Sequence, residues 1–136
     1  MDESIGGVDA LLAKSRAGAR RLTAQETVEA CARGALLIDT RTETQRRRQG
    51  ELPGALVIDR TVLEWRLDPK SAGHIPEAVN YDVEIVVVCG QGYSSSLAAA
   101  SLRSIGLWQS TDMIGGAEAW IAANLPLATE PADVRE

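Results

Sequence analysis

The chain has 136 residues, 45% of them hydrophobic and 24% charged, which suits one domain that buries its own core without cross-links. A formal net charge of -5 argues against a nucleic-acid partner, because phosphate binding needs basic surface. No apolar stretch approaches a membrane span, the opening Met-Asp-Glu-Ser-Ile-Gly-Gly lacks the basic start and apolar run of a secretory leader, and Cys31 and Cys89 fit neither a disulfide framework nor a zinc spacing. The expectation is a cytoplasmic protein with reduced thiols, no metal and no membrane partner.

The spacing of Val8, Leu11 and Leu12 predicts a short amphipathic helix ended by Gly18, so residues 1–21 read as a helical extension. Thr23 opens Thr-Ala-Gln-Glu, a capping box with Glu26, and a helix is expected from Ala24 to Ala32, stopping at Gly34. Val28, Cys31 and Ala32 share one face of it, which makes Cys31 a core residue. Ala35–Asp39 and Ala55–Asp59 read as short apolar strands ending in aspartate. Between them Thr42–Gln49 reads as an exposed helix whose Arg46, Arg47 and Arg48 form a solvated face. Thr61–Leu67 looks like a helical turn closed by Asp68-Pro69, and Lys70–Tyr81 like a loop or loosely helical connection.

Next comes Glu84–Ser96, Glu-Ile-Val-Val-Val-Cys-Gly-Gln-Gly-Tyr-Ser-Ser-Ser, where an apolar strand runs into a cysteine and a short loop. The β-branched run Ile85–Val88 suits a strand buried on both faces of a parallel sheet. Cys89 then lies at the strand's C-terminal end, and Gly90 and Gly92 permit turns that let the amides of Gly90, Gln91, Gly92, Tyr93, Ser94 and Ser95 converge on the sulfur. Ser94, Ser95 and Ser96 are N-cap residues for a helix reaching Ile105, with Leu97, Leu102 and Ile105 inward. Its positive N-terminus and the loop amides both favour thiolate over thiol. The competing reading is an inert cysteine buried at a strand end.

Thr111–Ile114 reads as a further strand, and Gly115-Gly116 opens a last helix, Ala117–Asn124, that carries Trp120 and ends near Pro126. Residues 128–136 are expected to be a disordered tail. Strands alternating with helices imply an α/β fold, with right-handed crossovers and helices on both faces of a parallel sheet. Asp39, Arg41, Asp59, Arg60, Cys89, Gly115 and Gly116 all fall at strand ends, where such sheets form their ligand crevice.

Leu-Ile-Asp-Thr-Arg, Gly-Glu-Leu-Pro-Gly-Ala-Leu, Cys-Gly-Gln-Gly-Tyr-Ser-Ser and Ile-Gly-Gly-Ala-Glu-Ala-Trp, in that order, resemble the rhodanese-like domain, the single-domain sulfurtransferase module, over residues 22–127. The resemblance implies a parallel five-stranded sheet flanked by helices and a persulfide carried on Cys89. It implies that Asp39 and Arg41 brace the fold beside the active loop, and that Gly50, Pro53, Gly54 and Ala55 form a turn in which Glu51 stands where the family usually has His. His74, in a similar but misplaced motif, reads as a loop residue. Trp120 is then a core residue.

One departure lies in the loop. Active thiosulfate-using members commonly have a cation five positions after the cysteine, and here that position is Ser94. Thiosulfate preference is therefore in question, and Arg66 is the candidate to supply the charge from a neighbouring loop. The leading expectation is a sulfurtransferase needing no cofactor, with a small sulfur donor and, as acceptor, cyanide, a small thiol or a partner protein's cysteine. A non-catalytic module binding a partner through the loop face is the alternative. A cysteine phosphatase of related fold ranks last, because the arginine it needs six residues after the cysteine is Ser95.

Overall fold

The computed structural model describes residues 6–136. The part of the helical extension before Gly6 lies outside the described residues. Helices α1 (Val8–Arg16) and α2 (Ala24–Ala32) precede strand β1 (Leu36–Asp39) and helix α3 (Glu43–Gln49). Strand β2 (Leu56–Val57), a 3-10 turn (Arg60–Val62) and α4 (Leu63–Leu67) follow, then β3 (Ile85–Val88), α5 (Ser94–Ser104), β4 (Ser110–Asp112), α6 (Gly116–Ala122) and β5 (Asp133–Val134). The five strands form one sheet in the order β4-β3-β1-β2-β5, and every pairing is parallel.

The sheet buries both faces because β3 is apolar at every position and β1 is apolar up to Asp39. Side chains alternate across a strand, so Ile85 and Val87 enter one core with Ile38, Leu63, Leu67, Ala98, Ala99 and Leu102. Val86 and Val88 enter the other with Leu37, Leu22, Ala30, Met113 and Trp120. Helices α4 and α5 cover the first face, and α2 and α6 the second. The Thr23–Glu26 capping box starts α2 as its sequence dictates, and Thr42 with Gln45 forms a second one at α3.

Four local expectations change. The segment 128–136 is not a disordered tail: Asp133–Val134 pairs with Leu56–Val57, and Arg135 fixes it there through Glu77 at 2.6 and 2.9 Å. The second strand is shorter than Ala55–Asp59 because the Asp59 carboxylate accepts bonds from the Thr61 amide and hydroxyl, which turns the chain into the 3-10 segment. On α5 the inward positions are Ala98, Ala99 and Leu102, whereas Ile105 closes the helix and is 36% exposed. Arg46 is not solvated: it is buried and paired with Glu51 at 2.7 Å, while Arg47 pairs with Glu43 on the outside.

α1 docks on α5 rather than standing apart. Arg103 donates to the Ser15 carbonyl at 2.6 Å, and Leu22 bridges to Met113 beside β4. Leu22 and Asp133–Val134 thus meet the sheet at its opposite edges, and the residues between α1 and α2 arrive beneath the Cys89 loop.

Candidate active site

The C-terminal ends of β1 and β3 lie side by side, with Asp39 opposite Val88, so Thr40 and Cys89 leave the sheet together. Thr40 donates to the Val88 carbonyl from its amide at 3.0 Å and its hydroxyl at 3.2 Å, which ties the two exits. Behind them Arg41 lies on Asp39, donating from Nε and Nη2 to the carboxylate and from Nη2 to the Gly50 carbonyl at 2.9 Å. That pair holds the turn after α3 against the strand ends, and Arg41 Nη1 also donates to Gln49 Oε1 at 3.4 Å, whereas neither residue lines the cavity.

The loop itself is held from α6. Ala117 N–H donates to the Cys89 carbonyl at 2.8 Å and Glu118 N–H to the Gly90 carbonyl at 3.2 Å, an acceptor shared with Gln49 Nε2. Gly116 allows this approach: any side chain there would drive its Cβ into the Cys89 carbonyl. At Gly92, φ is +87°, a backbone turn that aims its N–H at Cys89 Sγ, 3.1 Å away.

Cys89 is 6% exposed. Burial pushes its thiol up, but hydrogen bonding with the Ser95 and Ser94 hydroxyls and with the Ser95 and Gly92 amides outweighs it and leaves the pKa below the ordinary thiol value. Of the expected amides, those of Gly92 and Ser95 make these bonds. α5 begins at Ser94, with Tyr93 as its N-cap residue and no side-chain cap, because the serines are turned to other tasks: Ser95 and Ser96 are buried and bonded to Asp112. Cys31 shows the contrast. It is half-buried on α2, and burial raises its thiol pKa.

An open cavity of about 570 Å³ stands over the sulfur, lined by Cys89, Gly90, Gln91, Tyr93 and Ser94 of the loop, by Thr40, Gln45, Arg48 and Gln49, and by Glu118. Arg66 is not among these residues. Its guanidinium donates to the Gly73 carbonyl at 3.0 Å, inside the turn that follows α4, so the charge expected from it does not reach the crevice. Arg48 supplies a cation to the cavity wall instead. Its sequence pattern placed it on a solvated face; the available signal was its position two residues before Gly50, at the end of a helix leading into the bracing turn. Also missed were Asp112, which reaches Ser95 and Ser96 from the next strand, and Arg16 and Arg21, which contact the loop from more than 70 positions away.

A parallel sheet in which β3 leads into a thiol bonded by two loop amides at the mouth of a polar cavity defines an α/β protein built for chemistry at a cysteine. The rhodanese-like domain model matches residues 23–123, and the chain belongs to that family. It is similar to the thiosulfate sulfurtransferase GlpE of Haemophilus influenzae, with 30% identity over 110 residues that cover 81% of this chain and 95% of that protein. Among solved structures, human single-domain sulfurtransferase TSTD1 superposes with a TM-score of 0.65 and 27% identity, over 77% of this chain and 97% of that one. A Rhodopseudomonas palustris protein of unknown function, named a possible tyrosine phosphatase, superposes with a TM-score of 0.80 and 28% identity, over 94% of this chain and 99% of its own. No described helix is long and apolar enough to cross a membrane.

Proposed function

We propose that this chain is a sulfurtransferase that carries sulfane sulfur as a persulfide on Cys89. The observation that carries the reading is a thiol that accepts from the Gly92 N–H and donates to the Ser95 hydroxyl oxygen at the floor of an open polar cavity. The Cys89 thiolate attacks the outer sulfur of the donor. An S–S bond forms, the donor's bond to that sulfur breaks, and its remainder leaves with the electron pair; for thiosulfate the leaving group is sulfite. The terminal sulfur of Cys89-S-S(-) then lies among the loop amides, a nest suited to an anion. An acceptor thiolate or cyanide attacks that sulfur, and Cys89 departs as thiolate. Each step is a two-electron displacement at sulfur.

For an anionic donor the charge absent at Ser94 comes from Arg48 across the cavity, with Gln45, Gln49 and Gln91 able to donate to sulfonate oxygens. The relatives named thiosulfate sulfurtransferases support this donor class. A phosphatase would need a guanidinium where Ser95 stands, and the Ser95 hydroxyl is engaged with Asp112. Mass spectrometry after incubation with thiosulfate tests the reading: one added sulfur on Cys89, removed by cyanide, is expected. Absence of loading from thiosulfate and from an alkyl persulfide would instead favour a partner-binding module.

A further inference from the structure

Behind the sulfur a buried polar chain runs through Ser95 to Asp112, a carboxylate that the displacement chemistry does not use. Cys89 Sγ lies 3.2 Å from Ser95 Oγ, and Ser95 Oγ donates to Asp112 Oδ2 at 2.8 Å. The same carboxylate oxygen accepts from Ser96 Oγ at 2.8 Å and from Arg21 Nη2 at 3.1 Å, while Oδ1 accepts from Arg21 Nε at 2.9 Å. Asp112 is 2% exposed. Arg21 and Arg16 then close on the active loop itself, both donating to the Gly92 carbonyl, at 3.1 and 2.8 Å, and Arg16 Nε also donates to Ser96 Oγ at 2.9 Å.

A hydroxyl has one hydrogen to give. While Ser95 gives it to Asp112, only an oxygen lone pair faces Cys89, and a lone pair receives S–H but repels S(-). We propose that Asp112 is a positioning residue that holds the Ser95 hydrogen away from the sulfur and so keeps the resting cysteine a thiol until the hydroxyl turns. When Cys89 gives its proton to water or to an incoming base, the O–H···Oδ2 bond breaks and an O–H···S(-) bond forms. Oδ2 stays satisfied through Ser96 and Arg21, which makes the turn inexpensive. The hydroxyl bond that stabilises the thiolate is therefore the same bond that Asp112 competes for. Other charged or titratable groups around the sulfur are Tyr93 in the loop and Arg48 and Glu118 across the cavity; Arg16 and Arg21 lie behind Asp112.

The test is the pH dependence of iodoacetamide alkylation at Cys89 in a Cys31→Ala background, which does not depend on whether Cys89 carries sulfur. In Asp112→Asn the amide donates toward the two serines and frees the Ser95 hydrogen for the sulfur, so the alkylation midpoint falls by about one pH unit. With Ser95→Ala also present, the effect of Asp112→Asn shrinks to a small fraction of that. A midpoint that stays or rises in a folded Asp112→Asn protein overturns the proposal. So does an equal fall with and without Ser95, because Asp112 would then act as a bare charge. Should Asp112→Asn fail to fold, Arg21→Gln leaves the carboxylate more dependent on the serine hydroxyls. The midpoint then rises, and rises less without Ser95; a fall, or an equal rise, overturns it.

Discussion

Arg41 and Asp39 form an ion pair from which solvent is wholly excluded, with Nη2 2.8 Å from Oδ2 and Nε within 3.0 and 3.2 Å of the two carboxylate oxygens. Two residues apart in sequence, they also share a backbone bond, since the Arg41 amide donates to Oδ1. Removing one member leaves the other charged and without water. Asp39→Ala should lower stability by about 3–5 kcal/mol. An unshifted urea midpoint would contradict the pairing.

Cys89→Ser should abolish sulfur loading and transfer, whereas Cys31→Ala should preserve both. The first thiol lies over the cavity with donors around it, and the second sits on a helix face where burial raises its pKa. Equal losses in both variants, with circular dichroism unchanged, would count against Cys89 as the carrier.

Gly92→Ala should damage chemistry more than fold. A Cβ at this position would lie 2.6 Å from the Gly115 amide nitrogen on a backbone with φ +87°, so the peptide that donates to Sγ must shift. A hydrogen bond to a charged group is worth about 1.5–3 kcal/mol, and its loss should slow sulfur loading about tenfold or more. Loading at the parent rate would show that this amide contributes nothing to the thiolate.

Arg48→Ala should reduce kcat/KM for thiosulfate about tenfold, the value of one charge-assisted contact, and leave an uncharged persulfide donor nearly unaffected. Ser94→Arg in that variant should restore thiosulfate use, since it returns a guanidinium to the cavity. Parallel losses with both donors would assign Arg48 to stability rather than to reading charge.

Thiol reactivity should rise with pH through a midpoint below the ordinary thiol value of 9.0, because the folded protein favours the thiolate. Between the folded and unfolded pKa values the folded state holds fewer protons, so the stability contributed by Cys89 increases as pH rises and is complete above the unfolded value. The Tm of the parent should therefore gain on that of Cys89→Ser from neutral pH upward. A difference that narrows as pH rises would reverse the sign of the effect.

The fold was legible where one residue type answers one physical demand. Ile85–Val88 could only be a strand covered on both sides, and the Thr23 capping box fixed the start of α2. The thiol loop was legible because glycines and hydroxyl residues follow a cysteine at a strand end. What escaped depended on distant partners. Nothing local marks Arg46 as buried or Arg48 as turned to the cavity, since their difference arises from where α3 lands. Ser95 and Ser96 read as helix caps because serine bonds to whatever lies nearest, and the nearest acceptor came from β4. Arg66 was claimed by the carbonyl of Gly73 in a turn whose shape sequence did not reveal.

Both borders of the sheet are closed by the chain's own outlying segments. Leu22 takes the free side of β4, accepting from the Ile114 amide at 2.7 Å and donating to the Asp112 carbonyl at 3.0 Å. Asp133–Val134 takes the free side of β2, flanked by the Asp133–Arg135 and Glu77–Arg135 charge pairs. An unpaired strand edge is a template for another molecule's strand, and short, charged end strands are a poor one. The segments that look dispensable in the sequence thus insulate each molecule from its neighbours, and the apolar strands Leu36–Asp39 and Ile85–Val88 remain private to the fold that made them.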